Sequence, residues 1–139
     1  MNTYTFAEIQ EGMTASFTKE ITDQMENLFR EISGDENPLH KNDDYAMEIG
    51  GYKQHVSFGM LTASLYSTVA GVYLPGKYSL IHSMEIKFIK PVFAGDVLTV
   101  SAAVVGKQAA MKLLQLKVKI TNQDNICVSK ADMKVLVLR

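Results

Sequence analysis

Leu114, Leu116, Val118 and Ile120 alternate with Gln115, Lys117 and Lys119, the period-two rhythm of a strand with one buried face. The same rhythm predicts strands over residues 97–105 and 126–138, and a less regular one over 78–90 that Pro91 ends. Ala94-Gly95-Asp96, Gly106-Lys107-Gln108 and Asn122-Gln123-Asp124-Asn125 supply the turns between them. Residues 13–18 alternate well enough for an edge strand ahead of these.

Helical spacing takes over between the first strand and the rest. Thr22 is suited to an N-cap, and Met25, Leu28, Phe29 and Ile32 form an apolar stripe with Glu26 and Arg30 on the other side. Ser33-Gly34 ends that helix. A second, shorter helix is predicted over 41–51, opened by Asn42 or Asp43 and closed by Gly50-Gly51, with a loop or short extended piece over 52–57. From Gly59 to Val72 the pattern changes, because no acid, lysine or arginine occurs between His55 and Lys77. Such a helix is expected to be buried nearly all round. Three long antiparallel strands and one or two earlier ones around a single buried helix make an α+β fold.

The chain of 139 residues fits one domain spanning 1–139, and 47% hydrophobic with 21% charged residues is the balance of a globular protein. A formal net charge of -1 gives no basic stripe for nucleic acid, so no nucleic-acid partner is expected. No apolar run approaches the roughly 18 residues of a membrane span, and residues 1–10 lack the pattern of a secretory signal. The expected location is therefore the cytoplasm. The single cysteine, Cys127, lies in a strand pattern and reads as an inert thiol in a reducing compartment.

Chemistry concentrates in Ser33-Gly34-Asp35-Glu36-Asn37-Pro38-Leu39-His40. Pro38 disfavours helical geometry at Asn37, so Asp35 and His40 sit on a bent loop where both can reach one small molecule such as a water. A histidine titrating near neutrality beside a carboxylate suits general acid-base work, although loop aspartates and histidines are also common caps and surface residues. Gly59 stands where a loop enters the apolar helix, and a helix N-terminus presents unpaired N–H groups, the layout of an oxyanion hole. Close packing would also account for that glycine. His55 and His82 have no spacing that reads as a metal site, Ser64 and Ser67 are one turn apart on the apolar helix, and no Gly-X-Ser-X-Gly elbow occurs.

Three segments in this order resemble the MaoC-like (R)-specific enoyl-CoA hydratase family over roughly residues 15–137. They are the 33–40 loop, Gly59-Met60-Leu61, and Phe88-Ile89-Lys90-Pro91-Val92-Phe93-Ala94-Gly95-Asp96. The resemblance implies a hot-dog fold, in which an antiparallel sheet wraps a long central helix, and a homodimer or dimer of dimers with active sites near the interface. It implies reversible addition of water to a trans-2-enoyl thioester, giving the (R)-3-hydroxyacyl product. By position, Asp35 and His40 would activate the water and the Gly59 amide would bind the thioester oxygen. Asn37 would fix the loop, and Ser67 would lie close to the dyad. No metal or redox cofactor is implied; the phosphopantetheine of coenzyme A or of acyl carrier protein enters only as part of the substrate.

The chain departs from the family at Phe58, where many members have a histidine directly before the helix-start glycine. A main-chain donor does not depend on that side chain, so the departure bears on acyl preference more than on catalysis. A thioesterase of the same fold and a non-catalytic acyl-thioester-binding module remain the alternatives.

Overall fold

A computed structural model describes residues 1–139. The chain runs β1 (Thr14–Glu20), α1 (Asp23–Ser33), α2 (Asp43–Gly50), α3 (Gly59–Thr68), β2 (Ser79–Phe88), β3 (Val97–Gln108), β4 (Leu113–Thr121) and β5 (Cys127–Val137). The strands form one sheet in the order β1-β3-β4-β5-β2, every neighbour antiparallel. Leu98, Val100 and Val104 of β3, Leu114, Leu116 and Ile120 of β4, and Met133 and Val135 of β5 project from one face. They form one core with Leu61, Leu65, Tyr66 and Val69 of the α3 region. Lys117, Lys119, Lys130 and Lys134 alternate with them on the exposed face, as a half-buried sheet requires.

Capping follows the sequence. Met25 N–H donates to Thr22 Oγ1 at 3.2 Å and Tyr45 N–H to Asn42 Oδ1 at 2.9 Å. Gly34, at φ 70°, takes the left-handed conformation that closes α1 and releases the chain into the Asp35 loop. Tyr66 fixes α3 to the sheet: its hydroxyl lies 2.6 Å from Ser129 Oγ on β5, and burial pushes the phenol above its ordinary range.

Three expectations need correction. Gly106-Lys107-Gln108 is not a turn, because a bulge between Val104 and Gly106 lets β3 continue to Gln108, and the chain reverses at Ala109–Met111. Lys107 Nζ is tied to the carbonyls of Phe6 and Ile9, at 2.7 and 2.5 Å, which holds it in the sheet. The 59–72 helix is not buried all round. Met60, Ser64 and Ser67 form an exposed stripe at helical spacing, and the α-helix passes at Val69–Tyr73 into a wider π turn. The third concerns α1, where Glu26 is 2% exposed while Leu28 and Ile32 are 50% and 82% exposed. Glu26 is inside because Ser57 Oγ donates to it, a partner that periodicity cannot reveal.

Candidate active site

The loop after α1 builds itself from its own side chains. Asp35 Oδ1 accepts from Asn37 N–H at 3.0 Å, and Asn37 Oδ1 accepts from Leu39 N–H at 3.0 Å. These two bonds turn Pro38–His40 into a single 3₁₀ turn, so Asn37 is the cap that sets the spacing between Asp35 and His40. Lys41 pairs with Glu36 across the outside of the loop, and that hydrogen bond holds the Glu36 carboxyl below its usual range.

His40 is half-buried and held on several sides. Its Nδ1 lies 2.7 Å from the Val56 carbonyl oxygen, its own carbonyl accepts from Arg30 Nη2 at 3.0 Å, and its ring centroid is 4.3 Å from that of Phe58. A carbonyl only accepts, so Nδ1 carries a proton, and in the neutral ring Nε2 is the nitrogen with the free lone pair. Phe58, which stands where many family members have a histidine, thus serves as a wall for the His40 ring.

Gly59 opens α3. Its N–H has no partner in the protein, nor has that of Met60, whereas Leu61 and Thr62 both donate to Phe58 O. The two free amides are those of an uncapped N-terminus, since Phe58 offers no side-chain acceptor. A Cβ on Gly59 would stand 3.2 Å from Phe88 Cε1, so a side chain here would press on that ring.

Asp35, His40, Gly59, Phe58, Met60 and Phe88 line one cleft of ≈ 270 Å³. A second cleft, of ≈ 290 Å³, shares His40, Gly59 and Phe88 and extends past Tyr52, Ser57 and Thr62. Asp35 and His40 both line the first cleft and do not hydrogen-bond to each other; Asp35 Oδ1 is held by the Asn37 N–H. A larger depression, ≈ 720 Å³, lies on the lysine-bearing outer face of the sheet; it contains no histidine and none of these residues.

Ser67 is not brought to the others. It is exposed near the far end of α3, about 12 Å along the helix from Gly59 at 1.5 Å per residue, and lines neither cleft. Two features escaped sequence reasoning: the Val56 carbonyl that orients His40, and the buried Glu26 behind Ser57. No three His, Cys, Asp or Glu side chains converge as a metal-binding group, and no helix is long and apolar enough to cross a membrane. Elsewhere, His55 Nδ1 and its main-chain N–H both meet Asp43 Oδ1, at 2.6 and 2.8 Å, and these bonds hold the Asp43 carboxyl below its usual range.

Known proteins resemble this chain along most of its length. The MaoC like domain family matches residues 5–125. An (R)-specific enoyl-CoA hydratase of Rhodospirillum rubrum is 35% identical over 116 residues, which cover 84% of this chain and 80% of that protein. The (R)-specific enoyl-CoA hydratase of Aeromonas caviae is 30% identical over 83% of this chain and 85% of its own length. Among solved structures, the unliganded R-hydratase PhaJ1 of Pseudomonas aeruginosa superposes with a TM-score of 0.87 at 28% identity. It covers 96% of this chain and 84% of its own.

Proposed function

From the premise that the chain belongs to the MaoC-like domain family and has its hot-dog fold, we propose that it is a hydro-lyase that adds water to trans-2-enoyl thioesters, or removes it from (R)-3-hydroxyacyl thioesters. The observation that carries this reading is the unengaged Gly59 amide in the same cleft as Asp35 and as His40, whose Nδ1 is held by the Val56 carbonyl.

The Gly59 N–H donates to the thioester carbonyl oxygen, which draws electron density from the β-carbon and stabilises the enolate that forms when that carbon is attacked. A water sits between the Asp35 carboxylate and His40 Nε2. As its oxygen bonds to the β-carbon, its proton passes to the dyad, and a proton is then delivered to the α-carbon, so the elements of one water are added across the double bond. The same groups run the reverse reaction. Asn37 keeps the loop in shape without touching substrate. No metal or redox cofactor takes part, and phosphopantetheine of coenzyme A or of acyl carrier protein belongs to the substrate.

The active unit is a homodimer, alone or as a dimer of dimers, in the cytoplasm. Two features support self-association: the outer edge of β2 is unpaired, and Met60, Phe88 and Leu80 are 59%, 53% and 53% exposed beside it.

Crotonyl-CoA tests the reading. Loss of the enoyl absorbance with formation of (R)-3-hydroxybutyryl-CoA supports it. Release of free thiol without hydration would instead make the protein a thioesterase, and thermal stabilisation by the thioester without turnover would make it a binding module.

A further inference from the structure

Helix α1 holds a carboxyl group in the interior that the hydration step does not use. Glu26 and Ser57 are 2% and 3% exposed, and Ser57 Oγ donates to Glu26 Oε1. Glu26 Oε2 has no partner in the protein. A carboxyl group buried with half of its acceptors unmet costs stability relative to an apolar side chain of similar volume, so stability does not account for a glutamate here.

The place where its one bond lands does account for it. Ser57 lies in the middle of four residues that assemble the site. Val56 carries the carbonyl that orients His40, and its N–H donates to Leu39 O at 3.0 Å. Phe58 packs its ring against His40 and against Phe29, with centroids 4.3 and 5.0 Å apart. Gly59 offers the free amide. The Ser57 main chain is fixed by its N–H to Val92 O at 2.8 Å, and its side chain by Glu26. A shift at Ser57 therefore moves the acceptor for His40 and the oxyanion donor together.

We propose that Glu26 is a positioning residue: through Ser57 it holds the 56–59 segment so that His40 Nε2 and the Gly59 N–H face the same thioester. The inference rests on the hydratase reading for its catalytic consequence, not for its structural one. Glu26 touches neither water nor substrate, and its carboxyl acts only as a buried acceptor. Stability is spent at this position in exchange for a fixed geometry of two groups on different segments.

The test compares Glu26→Gln, Ser57→Ala and the double variant Glu26→Leu/Ser57→Ala with the parent, on crotonyl-CoA. Glu26→Gln retains an acceptor for Ser57 Oγ and keeps the parent kcat. Ser57→Ala and the double variant lose kcat by at least about tenfold, by similar factors because one bond is removed in both, with KM little changed. The double variant unfolds at the parent temperature or above, since the buried unmet carboxyl is gone. Its His40 ring nitrogen resonances shift from those of the parent, a readout independent of turnover. Parent kcat in both bond-breaking variants, or an equal loss in Glu26→Gln, would overturn the proposal, and so would His40 resonances unchanged in the double variant. A parent protein that hydrates no enoyl thioester would sink the hydratase reading instead, while the His40 resonances would still decide whether Glu26 positions that ring.

Discussion

His40 Nδ1 and the main-chain oxygen of Val56 are 2.7 Å apart, and this contact sets the tautomer of the neutral imidazole. Because the carbonyl cannot donate, the neutral ring has its proton on Nδ1, and Nε2 is the atom that can take one from water. Nitrogen-15 spectra of the neutral protein are expected to show Nε2 of His40 unprotonated and Nδ1 protonated. The opposite tautomer would remove the base from the proposed reaction.

Gly59 is where a methyl group is expected to harm activity and not folding. Alanine favours a helix more than glycine does, and the contact it would add, 3.2 Å from Phe88 Cε1, is with the edge of a single side chain rather than with backbone. Gly59→Ala should unfold within about 1 kcal/mol of the parent. It should lose up to about 10²-fold in kcat/KM, comparable to one oxyanion donor. Denaturant unfolding and a hydration assay on the same preparation separate the two effects; parent activity in Gly59→Ala would mean that no substrate oxygen comes close to this amide.

Acid should expose the Asp43–His55 contact. Hydrogen bonds from the main chain and ring of His55 lower the Asp43 carboxyl from its ordinary value, so the folded state favours the charged form. Stability from this group is complete above the unfolded aspartate value near about 3.9 and is lost as pH falls through the lower folded value. Asp43→Asn should thus unfold at a lower temperature than the parent at pH 6, and the gap should close below about pH 4. A gap that stays constant through that range would show that the charge contributes nothing.

Much of the sheet was legible because β4 and β5 are half-buried, and alternation such as Leu114 to Ile120 reports that state directly. The caps at Thr22, Asn42 and Gly34 were legible for a similar reason: each is a local choice made by one side chain or one φ angle. What local patterns could not report were long-range partners. Glu26 looked like a solvent-facing residue because its acceptor role depends on Ser57, 31 positions away. Gly106 looked like a turn because a bulge within a strand and a turn both favour glycine. At the site, the 33–40 loop and Gly59 stood out by composition, whereas the Val56 carbonyl that sets the His40 tautomer carries no side-chain signal. Ser67 lies on the expected helix yet on its open side, and helical spacing alone does not fix which side faces a cleft.

The central claim is that Asp35 and His40 together activate water for attack on an enoyl thioester. The most direct measurement is the hydration rate of crotonyl-CoA by the parent, Asp35→Asn and His40→Gln, each first shown by circular dichroism to be folded. The account predicts (R)-3-hydroxybutyryl-CoA from the parent and a loss on the order of 10²–10⁴-fold in each variant. Parent-like rates in both variants would contradict it.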